Sequence, residues 1–151
     1  MGKTAQETRL HRRLIDTLYV ESMLLADEAR GYFDDAGRHD RAALDALQRV
    51  VFSCESMKVT ARLMHVIAWL LTQRAVLAGE LRAKDALDPS RRLGDAPESD
   101  EVALTGLPDD ARLLIAASVD LHRRVARFDQ AQARPVTSPA RSMIDRLALA
   151  F

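Results

Sequence analysis

The groups best suited to chemistry in this chain are four histidines, one cysteine and 22 carboxylates. Set as Glu-x-x-His on inward helix faces, such residues hold carboxylate-bridged metal pairs. That spacing does not occur: the residues three after Glu7, Glu21, Glu28, Glu55, Glu80, Glu98 and Glu101 are Leu10, Leu24, Gly31, Lys58, Ala83, Glu101 and Leu104. His11, His39, His65 and His122 fall in different stretches without paired spacing, so neither a metal nor another cofactor is expected. Ser53, Cys54 and Ser56 offer nucleophiles, but nucleophilic catalysis needs a base and a group that orients it, and the sequence nominates neither. Gly2-Lys3-Thr4 has the ending of a phosphate-binding loop without the strand and glycine turn that precede one. Met1-Gly2 opens like a myristoylation signal, yet Gln6 stands where Ser or Thr is required. The sequence therefore reads as that of a non-enzyme.

Binding chemistry is the alternative. The clusters Arg9, Arg12, Arg13 and Arg123, Arg124, Arg127 could meet acidic partners, although solvated helix faces account better for each taken alone. With 22 Lys and Arg against 22 Asp and Glu, the net charge is zero, which disfavours the counterion-driven affinity of nucleic-acid binders. No helix carries the basic and amide side chains of a recognition helix at its start. The first thirty residues are charged throughout and contain no signal-peptide core. The longest nearly apolar run, Leu63 to Leu71, is far shorter than the roughly 20 residues of a membrane span. A cytoplasmic protein of one domain is expected, large enough to fold without a staple.

The elements that must position these groups are helical, because apolar residues recur at spacings of three and four and nowhere alternate. A first helix is predicted from about Thr8 to Asp35, with Leu10, Leu14, Leu18, Leu25, Ala29 and Tyr32 on one face and Gly37 as its stop. The strongest pattern lies in a second helical region, about Asp40 to Leu81. There Ala43, Leu47, Val50, Cys54, Met57, Ala61, Met64, Ala68, Leu71, Ala75 and Ala78 form an unbroken heptad seam. Cys54 on that seam is expected to be a small buried thiol. A second stripe, Val59, Leu63, Val66 and Leu70, means that the helix must be covered on two sides. Its length makes a kink near Ser53 to Ser56 plausible.

From Asp88 to Leu107 the periodicity stops in a stretch with five acidic residues against Arg91 and Arg92. Connections this long are functional or disordered. Pro108 suits a first helical position, and Leu114, Ala117, Leu121, Val125 and Phe128 form the buried face of a third helix ending near Asp129. After the polar AQARPVTSP segment, Ser138 is an N-cap and Pro139 the first residue of a short helix whose Ile144, Leu147 and Phe151 share a face. A helix of about 12 residues is marginal alone, so it must dock either on the bundle or on another protein. The expected organisation is a helical domain, 1–131, with a loop at 88–107 and a flexible tail, 132–151.

The segment ESMKVTARLMHVIAWLLTQRAVLAGE, Glu55 to Glu80, and LYVESMLLADEARGYF, Leu18 to Phe33, resemble the alphaproteobacterial RcdA family, regulators of CtrA degradation. The likeness covers about Leu14 to Leu81 well and the rest mainly in layout. It implies an all-α three-helix bundle that forms a homodimer with a flexible C-terminal tail. It also implies an adaptor of the ClpXP protease: a protease primed by a CpdR-like protein recruits it, and it brings substrates or a PopA-like adaptor that delivers CtrA. A small helical DNA-associated regulator of the cell cycle is the other class open to such a sequence.

Glu55, Arg62, Gln73 and Arg74 match the family pattern while being polar on a mostly apolar helix, which implies intrahelix or intersubunit hydrogen bonds. Glu55 and Arg62, seven apart, could instead each bond a neighbouring helix. Met64 and Trp69 complete the structural or dimer set, with Trp69 in the bundle or the dimer seam and its N–H satisfied, or else a binding anchor. In the tail, Arg141, Ile144, Arg146, Leu147 and Phe151 form a candidate docking peptide, with cis packing as the alternative. The apolar end Ala148 to Phe151 further suggests that the protease turns the chain over.

Overall fold

The computed structural model describes residues 4–134 and 139–151, with the backbone alone at 139, 141 and 142. Among the described residues the regular structure is entirely helical. Helix α1, Ala5–Gly31, starts three residues before its predicted start because Thr4 and Glu7 form a reciprocal capping box. It passes into a π-helical turn, Tyr32–Ala36, and then α2, Gly37–Ala42. Gly37 therefore does not stop the helix. Its φ is −72°, and a Cβ there would lie 2.7 Å from the Tyr32 carbonyl oxygen, so close packing requires the glycine. Leu10, placed by its spacing on the buried face, is 58% exposed, and Ile15 and Ser22 are buried instead.

The long helix α3, Ala46–Leu77, begins at a second capping box, Asp45 with Gln48, and runs unbroken through Ser53 to Ser56, where a kink was plausible. It ends where Gly79 adopts a φ of +77°, a left-handed conformation that closes a helix without a Cβ penalty. Two 3₁₀ turns, Asp85–Leu87 and Pro89–Arg91, and the short α4, Glu101–Leu104, follow. Helix α5, Asp109–Ala133, has Pro108 as its cap and extends four residues beyond its expected end. Helix α6, Pro139–Ala150, closes the chain; Ser138, its predicted cap, lies outside the described residues.

The contacts fix the topology. Arg12 donates to the Leu77 carbonyl and Tyr32 packs near Phe52, so α1 and α3 are antiparallel. Arg62 meets Ser118, Trp69 meets Asp129 and Gln73 meets Gln132, so α3 and α5 run in the same direction. Parallel neighbours cannot be joined by a short turn. Residues 78–108 must return along most of α3, which is about 48 Å long at 1.5 Å per residue. This is the physical reason for the long aperiodic stretch: it is a crossover strap.

The core lies between the three long helices. Ile15 and Leu18 of α1, Tyr32 of the π-helical turn, Phe52, Val59, Leu63, Val66, Trp69 and Leu70 of α3, and Ala111, Leu114, Ile115, Leu121 and Val125 of α5 are buried together. Burial of these side chains, at roughly 1.5–3 kcal/mol each, is what drives the packing.

Candidate functional site

Two structures built on α3 position the polar and apolar residues singled out in the sequence. On its inward side, one buried polar cluster fastens the strap. Arg62, 2% exposed, donates to Ser118 Oγ of α5 at 3.2 Å and, through Nη2, to the Pro97 carbonyl at 2.9 Å and Ser99 Oγ at 2.6 Å. Ser99 Oγ in turn donates to Glu55 at 2.5 Å, and Lys58 bridges Glu55 and the Glu98 carbonyl. Glu55 and Arg62 are thus joined through the strap rather than directly. Burial pulls the Arg62 pKa down, and the nearby Glu55 charge works against that pull.

Farther along, Asp129 of α5 accepts from Trp69 Nε1 at 3.0 Å and from Arg92 of the strap through Nε at 2.8 Å and Nη2 at 2.9 Å. Burial acts to raise the Asp129 pKa, but the bonds from Arg92 and Trp69 outweigh it and hold the carboxyl below its ordinary range. Between the two fastenings, His122 Nε2 sits 3.0 Å from the Gly94 carbonyl oxygen. A Cβ on Gly94 would come within 2.0 Å of His65 Nδ1. The strap therefore passes close to both histidine rings, and only glycine fits there. Asp129, Ser99, Ser118 and Arg92 carry no local signal of these roles, because each acts through contacts 35 or more residues away.

The other predicted polar residues of α3 serve its neighbours. Gln73 accepts from Gln132 at 2.8 Å, while its Nε2 is buried without a partner among the described residues. Arg74 lies over the Tyr19 ring at 4.5 Å, with Asp16 3.9 Å away. Trp69 is 2% exposed and belongs to the core of the bundle, its N–H satisfied within the chain.

The outward side of α3 corrects an expectation. The heptad seam does not pack within the described chain; the weaker stripe, Val59, Leu63, Val66 and Leu70, does. Leu47 is 75% exposed, Met57 72% and Met64 65%, with Val50 and Leu71 also exposed. Cys54, expected as a buried thiol, is exposed as well. The reason is angular. At 100° per residue the seam is centred on the face opposite Val66 and Phe52, so a three-helix protomer that covers one stripe leaves the other in solvent. Met64 accordingly contributes nothing to the core.

In the tail, Ile144, Leu147 and Phe151 are exposed, the last fully, while the Arg141 side chain lies outside those described. The apolar face of α6 is thus not buried on the bundle, and Arg146 is exposed beside it. On α1, Arg9, Leu10, Arg13 and Val20 line an open groove. Arg124 is committed to Glu21 and Asp120, whose hydrogen bonds raise its pKa, so the second arginine cluster is partly neutralised. No helix among the described residues is long and apolar enough to cross a membrane, and no group of three metal-ligating side chains occurs among them.

Three long helices with a strapped crossover make the described residues an all-helical bundle. A family described as a protein of unknown function, DUF1465, matches residues 6–151. The crystal structure of RcdA from Caulobacter crescentus CB15 is similar at 35% identity, covering 83% of this chain and 93% of that one with a TM-score of 0.66. The chain belongs to the RcdA family. No curated protein matches it. Both the kinship and the all-helical fold fit a non-enzyme.

Proposed function

We propose that this protein is a cytoplasmic, non-enzymatic adaptor that works as a homodimer and helps a ClpXP protease, primed by a CpdR-like protein, to take up substrates. CtrA-like regulators, delivered directly or through a PopA-like adaptor, are the substrate class the family resemblance suggests. The observation that carries this reading is the exposed seam of α3, a recognition surface of heptad pattern in a protein of a regulatory family. A strip this long and apolar on a water-facing helix marks a protein interface. The tail adds a second surface, since Ile144, Leu147 and Phe151 share an uncovered face of α6. The segment that follows α5, through Phe151, forms the docking arm in this reading.

The test is reconstitution. Purified ClpXP, the CpdR-like protein and a CtrA-like substrate are mixed with the full chain or with residues 1–134, and substrate loss is followed with time. The full chain should accelerate degradation and the truncated chain should not. No acceleration by the full chain, with any candidate substrate or with the PopA-like protein added, would refute the adaptor role. Equal acceleration by both would move docking to the bundle. Light scattering at micromolar concentration reports the dimer separately.

A further inference from the structure

The exposed seam of α3 is not uniform, and its two halves differ in size. One line, at every seventh residue, is Val50, Met57, Met64 and Leu71; the other is Cys54, Ala61, Ala68 and Ala75. Large side chains stand along one edge and small ones along the other, and the large ones are 47–72% exposed. We infer that a second copy of this chain covers this face with its own α3 running antiparallel, in a register that sets Leu71 of each copy against Cys54 of the other. The inference rests on the dimer proposed above and specifies its geometry.

Size decides the direction. In a parallel pair in register, like layers meet like: Met57 on Met57 and Met64 on Met64 overfill two layers, while Ala61 on Ala61 and Ala68 on Ala68 leave two layers nearly empty. Both overpacking and voids destabilise a helix interface. In an antiparallel pair each layer joins one line to the other. Pairing positions whose numbers sum to 125 sets Leu71 over Cys54, Met64 over Ala61, Met57 over Ala68 and Val50 over Ala75. Leu47, the one large residue on the small line, then falls over Ala78, the small residue that ends the large line. Every layer has one large and one small side chain, the arrangement that fills an interface evenly.

A slip of one heptad, to a sum of 118, sets Leu47 on Leu71 and Ala43 on Ala75 and loses this balance. The paired set is also its own mirror, as a two-fold interface requires: if residue i meets residue j, then j meets i. Small residues along one line let the two backbones approach closely, and the longer side chains of the partner lie across them. The contact would extend over residues 47–78, roughly 46 Å of helix.

The single cysteine makes the register measurable in the full chain. In the antiparallel register the two Cys54 thiols stand apart by about 17 residues of helix, roughly 25 Å. Wild-type protein treated with a mild oxidant or a short bis-maleimide should therefore form no covalent dimer. Leu71→Cys should form one readily, and Leu71→Cys on a Cys54→Ala background should not. Met57→Cys with Ala68→Cys, again on Cys54→Ala, repeats the test at another layer and guards against local damage by the first variant. Light scattering on every variant reports whether the dimer persists. A dimer that links Cys54 to Cys54 in the wild type is parallel or is centred on Cys54 itself, and one that links Cys54 to Met64→Cys in preference to Leu71→Cys is slipped by a heptad. Either result overturns this geometry while leaving the dimer. A wild-type chain that is monomeric overturns the dimer itself and assigns the seam to a partner of another sequence.

Discussion

Asp129 carries one end of the strap and accepts the hydrogen bond of the Trp69 indole, and these two roles separate under substitution. Asp129→Asn keeps the shape and one carbonyl oxygen, which still accepts from the Trp69 N–H, but removes the charge and one of the two oxygens bonded to Arg92. The Arg92 side chain is 32% exposed and recovers water when released, so the loss should be modest, about 1–2 kcal/mol. Asp129→Ala removes the second role as well. Trp69 is 2% exposed, and an indole N–H left buried without an acceptor costs a further 1–3 kcal/mol or so. Arg92→Ala should match Asp129→Asn. The assay is urea unfolding followed by the fluorescence of Trp69, the sole tryptophan and itself a member of the pair. The expected order of stability is wild type, then Asp129→Asn together with Arg92→Ala, then Asp129→Ala. If Arg92→Ala cost as much as Asp129→Ala, or if Asp129→Ala cost nothing, the division of labour argued from these distances would be wrong.

Other outcomes follow from the same contacts. Arg62→Met leaves Glu55 buried with only Lys58 and Ser99, and should destabilise by about 3–5 kcal/mol, whereas Glu55→Gln with Arg62→Met should cost less than that single change; urea midpoints decide. Gly94→Ala should lose about 1–3 kcal/mol through its clash with His65, and His65→Ala should restore part of it; additive losses in a double-mutant cycle would refute the clash. The Asp129 pKa is lower folded than unfolded, so its contribution is present above the ordinary carboxylate value of about 3.9 and fades as pH falls through the folded value. Below about pH 4, Asp129→Asn should therefore lose stability less steeply than wild type in thermal melts, and parallel acid limbs would contradict this.

Much of the architecture was legible because amphipathic helices advertise their period. The three long helices, the last short one and the aperiodic stretch all follow from apolar spacing, and so do the two apolar stripes of α3, of which the described chain covers one. The choice between its two stripes was not legible. Apolar spacing does not rank the two stripes; what decides burial is complementarity with α1 and α5, and Val59, Leu63, Val66 and Leu70 sit among the larger anchors Phe52 and Trp69. Gly37 misled for a related reason: a glycine can mark close approach as well as a helix end, and only the packing of Tyr32 distinguishes the two. Glu55 and Arg62 stood out as polar residues on an apolar helix, but their partners Ser99 and Ser118 are unremarkable in sequence and distant along it. The parallel course of α3 and α5, which explains the length of the strap, leaves no local signature at all.

That parallel course also sets a minimum length for the connection. Between Arg92, held beside Trp69 through Asp129, and Gly106, close to Gln48, the chain must cover the rise of α3 from 48 to 69, roughly 32 Å. The intervening residues, four of them coiled into α4, reach only about 38 Å when the remainder is nearly extended. The strap is almost taut. Insertions there should be absorbed as slack at the surface, whereas removing more than about two residues should pull either Arg92 or Leu107 out of place. A deletion series between Asp95 and Ala103, read by thermal melts, should thus show a threshold rather than a gradual decline.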